Sequence, residues 1–167
     1  MLISQKLSKK LLEICFKKNM KLLTAESCTG GLLSANITGV AGSSSVFSYG
    51  FICYSNESKR KFLKVTKKTI DSYGAVSYET VKQMLFGLCK QAKSKTLAVA
   101  ISGVAGPGGS EAKPVGLVFI GAKISSCSSE KIAQFNFGDI GRNKIQQKSV
   151  HEALKISLNM VRSTEKH

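Results

Sequence analysis

The spacing of apolar residues along the chain predicts alternating helices and strands. Residues 3–19 carry leucine and isoleucine at helical spacing between lysines, and residues 21–26 form a short apolar run that predicts a strand. A helix over residues 30–38 follows. The next strand, from Val46 to Tyr54, is rich in aromatic and β-branched residues. The first third of the chain therefore alternates helix, strand, helix and strand.

The rest of the chain continues this alternation. Short helices are predicted over residues 56–63 and 67–73, the first with Asn56 as its cap, and a longer helix starts at Ser77 and runs to about Lys93. The remaining elements are three strands and a terminal helix, at residues 97–101, 115–122, 130–137 and about 142–162. Interleaved helices and strands predict a three-layer α/β/α domain with about five strands.

Composition narrows the class of protein. A chain of 167 residues fits one domain, residues 1–167, and 43% hydrophobic residues suffice for a folded core. No apolar run approaches the ~20 residues that a membrane-spanning helix needs, and the N-terminus has no secretory pattern. Five cysteines without a Cys-x-x-Cys pair indicate neither a zinc cluster nor a disulfide framework. We therefore expect a cytoplasmic protein that does not bind membranes.

The formal net charge of +15 is the feature that points towards a nucleic-acid partner. Only three of the 25 basic residues are arginines, namely Arg60, Arg142 and Arg162, whereas recognition of base edges relies on arginine. The lysines are spread over every predicted helix, without a basic tail. This distribution predicts lysine-rich solvated surfaces and no specific nucleic-acid binding.

The turn between the strand at residues 21–26 and the following helix is a candidate for chemistry. Residues 24–31 are Thr-Ala-Glu-Ser-Cys-Thr-Gly-Gly, so Ser27, Cys28 and Thr29 are all candidate nucleophiles there. Ligands of open α/β sheets bind at the carboxyl ends of strands, and a helix start offers amide groups to anions. A helix start eased by glycine explains the same residues without catalysis, and these residues alone leave both interpretations open.

Two further polar clusters follow predicted strands. One is residues 54–59, and the other is the glycine-rich segment 102–109, which suits either an anion cradle or a surface loop. If the strands are parallel neighbours, all three clusters meet at one edge of the sheet. Neither His151 nor His167 falls in a cluster, so a Ser-His-Asp triad is not indicated. A lysine of lowered pKa can activate serine instead, and Lys59 is the candidate, with a solvated surface lysine as the alternative.

Six short motifs in their order resemble the CinA C-terminal domain family, the nicotinamide-nucleotide amidohydrolases. They are residues 25–31, 42–44, 54–57 with Lys59, 74–77, 102–109 and 113–116. The resemblance covers roughly residues 5–160 and implies a mostly parallel mixed sheet in the three-layer fold. It also implies hydrolysis of the carboxamide of nicotinamide mononucleotide to nicotinate mononucleotide and ammonia, in a homo-oligomer. Family members often carry a separate N-terminal domain, so this chain resembles the stand-alone form.

Carried over residue by residue, the resemblance assigns catalysis to Ser27, Tyr54 and Lys59. Ser27 is the expected nucleophile, and neutral Lys59 takes its proton directly or through Tyr54. Amide groups near residues 29–31 are expected to hold the oxyanion. Substrate binding is expected from hydroxyl groups and glycines, with the loop at 102–109 as phosphate cradle: Thr29, Gly30, Gly31, Ser43, Ser44, Asn56, Ser102, Gly103, Gly106, Gly108 and Gly109.

Two points complete these expectations. The reaction requires no metal and no organic cofactor, and a non-catalytic nucleotide-binding module with the same pocket is the alternative function. Family members commonly show a Pro-Gly-Asp-Arg-like stretch before the last helix, whereas residues 137–142 here are Phe-Gly-Asp-Ile-Gly-Arg. Because its position is displaced, the sequence assigns Arg142 no role.

Overall fold

A computed structural model describes residues 3–128 and 130–163 of the chain. The helices are α1 (Ile3–Lys17), α2 (Leu32–Thr38), α3 (Asn56–Leu63), α4 (Lys67–Tyr73), α5 (Tyr78–Gln91) and α6 (Arg142–Ser163). The strands are β1 (Lys21–Glu26), β2 (Phe47–Ile52), β3 (Thr96–Gly103), β4 (Leu117–Ile124) and β5 (Glu130–Asn136), with a 3₁₀ turn at Ser43–Ser45. Within these ranges, no helix is both long enough and apolar enough to cross a bilayer.

The strands form one mixed sheet in the order β2-β1-β3-β4-β5. Strand β1 pairs in parallel with both β2 and β3, whereas β4 runs antiparallel to its neighbours β3 and β5. Strands β2, β1 and β3 therefore end at the same edge of the sheet. The segments that follow these three strands hold the three polar clusters of the sequence, so the expected parallel arrangement is confirmed.

Helices cover both faces of the sheet. Helices α1, α2 and α6 pack on one face, and α5 packs on the other with α3 and α4 against it. Along β3, the side chains of Leu97, Val99 and Ile101 join the core on the α6 side, whereas Ala98 and Ala100 join the core on the α5 side. A strand covered on both faces has to be apolar throughout, as this one is. The predicted three-layer α/β/α fold with a mostly parallel mixed sheet is confirmed.

Serine side chains cap two helices on the α5 face. The Ser77 hydroxyl accepts a hydrogen bond from the Thr80 amide at 3.1 Å and caps α5, as its position in the sequence predicts. The cap of α3 is Ser55, whose hydroxyl accepts from the Ser58 amide at 3.0 Å. Asn56 is instead the first helical residue, so the prediction that it caps this helix was wrong. Both residue types can cap, and only the backbone conformation shows which one does.

Candidate active site

A cleft of about 240 Å³ opens where β2, β1 and β3 end. Its lining includes Ser27 from the first polar cluster, Tyr54 and Lys59 from the second, and much of the loop from Ser102 to Gly108. The start of α6 adds Arg142, which the sequence had left without a role. The three clusters are separated along the chain, and parallel pairing of their strands brings them together in one cleft.

Ser27 is held firmly at the end of β1. Its amide donates to the carbonyl of Ile101 on the neighbouring β3 at 3.0 Å, so the backbone at the turn still belongs to the sheet. Its side chain is buried, with 7% of the residue exposed at the cleft wall. The hydroxyl therefore has a fixed position at the wall of the cleft.

Lys59 is placed where a base for this serine would have to lie. Its Nζ lies 3.0 Å from Ser27 Oγ, 2.8 Å from the carbonyl of Cys53 and 3.2 Å from the carbonyl of Tyr54. The residue is 1% exposed, and burial lowers the pKa of its amine below the ordinary lysine value. A neutral amine has two hydrogens, which the two carbonyls accept, and one lone pair. That lone pair then faces Ser27 Oγ, the geometry that removal of the serine proton needs.

Glu26 organises the turn that carries Ser27, and sequence reasoning missed it. The carboxylate is fully buried and accepts from Thr29 Oγ1 at 2.7 Å and from the amides of Gly31 and Leu33 at 3.1 and 3.0 Å. It also accepts from the amide and hydroxyl of Ser34 at 2.8 and 2.7 Å. These bonds tie residues 27–31 to the first turn of α2. The available signal was a glutamate that ends an apolar strand just before a helix start.

The same bonds narrow the choice of oxyanion donors. The Gly30 amide donates to the carbonyl of Ser27 at 3.1 Å, and the Gly31 amide donates to Glu26, so two of the three expected donors are already used. Both glycines have left-handed backbone conformations, with φ of 59° and 101°, which is why α2 starts at Leu32 and not at residue 30. Within the described ranges, the amides of Cys28 and Thr29 donate to no other residue. Of these two residues Cys28 lines the cleft, so its amide is the one placed to hold an oxyanion beside Ser27.

Cys28, the neighbouring candidate nucleophile, has the wrong surroundings for that role. The residue is 4% exposed and its side chain belongs to the apolar core on the α6 side. Burial raises the pKa of the thiol to about 12, so it stays protonated near neutral pH. The backbone of Cys28 is held by Gln146, whose Nε2 donates to the Cys28 carbonyl at 2.8 Å. The geometry favours Ser27 over Cys28 as nucleophile.

Tyr54 and Arg142 meet at the mouth of the cleft. Arg142 Nη2 donates to the Tyr54 hydroxyl at 2.8 Å, and Nη1 donates to the carbonyl of Gly106 at 2.6 Å. Tyr54 is 59% exposed, and Lys59 contacts its carbonyl but not its hydroxyl. The contact of Lys59 with Ser27 is direct, which favours direct proton transfer over the alternative route through Tyr54. In the described part of the chain, no carboxylate pairs with the guanidinium of Arg142.

The glycine-rich loop reaches the cleft as expected, with one exception. Ser102, Gly103, Gly106 and Gly108 line it, whereas Gly109 packs against the backbone before β4 and lies outside the lining. The Ser102 hydroxyl is already used, because it donates to the carbonyl of Ala75 at 2.7 Å. Among the described residues, no group of three His, Cys, Asp or Glu side chains is arranged to hold a metal ion.

The expected positions of other binding residues need correction. Ser43 and Ser44 precede β2, next to Ser45, whose carbonyl accepts from Lys21 Nζ at the start of β1 at 2.7 Å. Strands β1 and β2 are parallel and rise about 3.3 Å per residue. These serines therefore lie near the amino ends of the two strands, whereas Ser27 follows the carboxyl end of β1. Ser43 and Ser44 therefore do not line the Ser27 cleft, and the expectation that they help to bind the substrate there is not met. Four further residues, Thr29, Gly30, Gly31 and Asn56, lie near the cleft segments but outside its lining.

Comparisons with known proteins agree with this architecture. The family model of the CinA C-terminal domain matches residues 4–161. A CinA-like protein of Petrotoga mobilis is 41% identical over 153 residues, which cover 91% of this chain and 37% of that protein. A CinA-like protein of Kosmotoga olearia is 45% identical over 139 residues, covering 83% of this chain and 33% of that protein.

The similarity extends to three dimensions. The crystal structure of the competence/damage inducible protein CihA from Agrobacterium tumefaciens superposes with a TM-score of 0.90 at 38% identity, over 95% of each chain. A CinA superfamily protein from Klebsiella pneumoniae superposes with a TM-score of 0.89 at 27% identity, over 97% of this chain and 99% of that one. The chain spans about a third of the length of the curated relatives it matches. On sequence and on structure alike, it belongs to the CinA C-terminal domain family.

Proposed function

We propose that this domain hydrolyses the carboxamide of nicotinamide mononucleotide to nicotinate mononucleotide and ammonia. The observation that supports the reaction class is the buried Lys59 amine, 3.0 Å from Ser27 Oγ and with a lowered pKa. A serine hydroxyl that such a lysine deprotonates is a nucleophile able to attack an amide carbon. The substrate class comes from the resemblance of the six motifs to nicotinamide-nucleotide amidohydrolases.

In the first step, Ser27 attacks the carboxamide carbon. Neutral Lys59 accepts the proton from Ser27 Oγ as the new carbon–oxygen bond forms. The carbonyl oxygen becomes an oxyanion, which the amide of Cys28 stabilises from the turn. Loss of one such donor typically slows an acyl transfer by roughly 10²–10³.

The second step releases ammonia. The Lys59 ammonium returns its proton to the amide nitrogen as the carbon–nitrogen bond breaks. The Tyr54 oxygen accepts from Arg142, so the hydrogen of the Tyr54 hydroxyl remains available to the substrate at the cleft mouth. Water then attacks the acyl-serine with Lys59 as base, which gives the nicotinate carboxylate and restores Ser27.

The phosphate of the substrate needs a positive or amide-rich partner. Among the described residues, Arg142 bonds only neutral oxygens, on Tyr54 and Gly106, so its charge is free to attract an anion. The backbone of residues 103–108 surrounds the same end of the cleft with glycines that let a ligand approach closely. We assign the phosphate to this end, so that the carboxamide faces Ser27.

The test is ammonia release from nicotinamide mononucleotide by the wild type and by Ser27→Ala. We expect turnover in the wild type and its loss in Ser27→Ala, with unchanged circular dichroism. Ser126→Ala, a change of an exposed serine in the turn between β4 and β5, is the matched control and retains turnover. If the wild type releases no ammonia while the nucleotide raises its melting temperature, the domain is a nucleotide-binding module and not an amidase.

A further inference from the structure

The motifs at residues 74–77 and 113–116 have no part in the mechanism described above. Two residues of the first motif, Ala75 and Val76, line the cleft between the end of α4 and the start of α5. Side chains hold all three carbonyl groups of residues 74–76, and we call these residues the clamped segment. The cleft wall that they form is therefore fixed from several directions.

Two of these carbonyls are held from α5 and from β3. The Gly74 carbonyl accepts from the hydroxyls of Ser77 and Thr80 at the start of α5, at 3.0 and 2.7 Å. The Ala75 carbonyl accepts from the hydroxyl of Ser102 at 2.7 Å, and Ser102 is fully buried near the end of β3. These bonds join the clamped segment both to the helix that follows it and to the central sheet.

Lys113 holds the third carbonyl from the segment that leads to β4. Its Nζ donates to the carbonyl of Val76 at 2.6 Å, and its alkyl chain passes beside Gly74, where an added Cβ would lie 3.5 Å from Lys113 Cε. The amide of Lys113 donates to the Ser110 hydroxyl at 3.0 Å, which closes the turn that carries the lysine. Among the described residues, no carboxylate pairs with Lys113. A hydrogen bond from an ammonium group is roughly twice as strong as one between neutral groups, so this contact is a firm one.

The hydrogen-bonding groups that the clamped segment leaves unused are donors. Within the described ranges, the amides of Ala75 and Val76 donate to no other residue, whereas the carbonyls of residues 74–76 are all engaged. The Ser102 hydroxyl beside them is engaged as well. A sugar hydroxyl needs an acceptor for its hydrogen and is poorly served here. A planar ring that carries a carbonyl oxygen suits a wall of small apolar residues with unused amides.

We propose that Lys113 is a positioning residue, which holds the clamped segment where Ala75 and Val76 contact the aromatic ring of the substrate. The inference rests on the proposed function, in which the pyridine ring lies between the carboxamide at Ser27 and the phosphate at Arg142. Lys113 is not part of the cleft lining and acts through the Val76 carbonyl. Its removal should loosen the contact with the ring and leave the nucleophile and the phosphate end in place.

The test is calorimetric titration with nicotinamide mononucleotide in the Ser27→Ala background, where no turnover interferes. Lys113→Met should weaken binding at least about tenfold, the effect of losing one hydrogen bond from a charged group. Ribose 5-phosphate carries the sugar and the phosphate without the ring, and its affinity should stay unchanged. Lys113→Arg keeps a charged donor and should restore most of the affinity for the nucleotide. Lys131→Met, at an exposed site on β5, removes the same charge and should change neither affinity.

The kinetic counterpart uses proteins with Ser27 intact. Lys113→Met should raise KM for nicotinamide mononucleotide by a similar factor and leave kcat nearly unchanged, because the contact of Lys59 with Ser27 is not altered. A variant that is merely less well folded would lose kcat and keep its KM. This split decides the case if ribose 5-phosphate binds too weakly to be measured.

Four outcomes would overturn the inference. They are an unchanged affinity of Lys113→Met for the nucleotide, an equal loss of affinity for ribose 5-phosphate, no restoration by Lys113→Arg, and an equal effect of Lys131→Met. If Lys113→Met fails to fold, Ser102→Ala releases the Ala75 carbonyl and should weaken nucleotide binding alone; unaltered binding would equally exclude the clamp. A wild type that neither binds nor hydrolyses the nucleotide refutes the proposed function and this inference together. Binding and turnover that Lys113→Met leaves unaltered refute the inference alone.

Discussion

The side-chain amine of Lys59 lies 3.0 Å from the hydroxyl of Ser27, although the two residues are 32 positions apart in the sequence. Ser27 directly follows β1, and Lys59 lies in α3, the first helix after the parallel neighbour β2. The carbonyls of Cys53 and Tyr54 hold the amine, and burial favours its neutral form. This contact places a candidate base beside a candidate nucleophile, and it makes the first prediction specific.

Lys59→Met should reduce the rate of ammonia release by roughly 10²–10⁴, the usual contribution of a positioned base. In the wild type, kcat/KM should rise with pH as Lys59 loses its proton and should level off below the ordinary lysine pKa, because burial lowers that pKa. The variant should lack this rise. Lys68→Met, at an exposed site on α4, is the control and keeps the wild-type pH profile.

The same pKa shift predicts how stability depends on pH. Between the lowered pKa of Lys59 and the lysine value of 10.5, the unfolded chain binds more protons at this residue than the folded chain does. The unfolding free energy of the wild type should therefore increase relative to that of Lys59→Met as pH rises through this window. Urea unfolding of both proteins at several pH values measures the difference, and a difference that is constant with pH would argue against a depressed pKa.

Cys28 should be dispensable for the reaction. Its thiol has a pKa of about 12 because it is buried, so Cys28→Ala should retain most of the turnover after correction for any loss of folded protein. Alkylation with iodoacetamide near neutral pH should likewise leave Cys28 unmodified, as peptide mass mapping would show. A loss of turnover as large as that of Ser27→Ala would instead make the thiol part of the chemistry.

Arg142 should act partly through Tyr54. The guanidinium donates to the Tyr54 hydroxyl at 2.8 Å, which leaves the hydroxyl hydrogen free for the substrate. We expect both Tyr54→Phe and Arg142→Met to lower kcat/KM, and Arg142→Met to cost less in the Tyr54→Phe background than in the wild type. A double-mutant cycle measures this coupling. Strictly additive losses would show that the two side chains act separately.

Glu26 should contribute more to stability than any surface carboxylate. Glu26→Ala removes the acceptor of five hydrogen bonds, three of them from backbone amides at the start of α2. A buried donor without a partner costs about 1–3 kcal/mol, so we expect a loss of at least about 3 kcal/mol in urea unfolding. Glu13→Ala, on the exposed side of α1, is the control, and its effect should stay within about 0.5 kcal/mol. Comparable effects of the two changes would remove Glu26 from its organising role.

Local patterns in the sequence were sufficient for the three-layer class of fold, whereas the mostly parallel mixed sheet was expected from the family resemblance. The spacing of apolar residues showed where the helices and strands lie, because an element that buries one face or both faces needs apolar residues at a characteristic spacing. Most element ends were predicted to within a few residues. The exceptions reflect backbone conformation, as at Gly30 and Gly31, whose positive φ angles delay the start of α2. The polar clusters after the strands also pointed to the cleft edge, since parallel strands end together.

Only the tertiary structure decided which polar residues share the cleft. It placed the Lys59 amine beside the Ser27 hydroxyl and revealed the hydrogen bonds of Arg142 and Glu26. It also placed Ser43 and Ser44 near the amino ends of the strands, away from the cleft. The physical reason is that a hydroxyl or an amine has the same local sequence signal wherever it lies. Its protonation, its partners and its access to a ligand depend on burial and on neighbours that are distant along the chain, and these exist only once the sheet has formed.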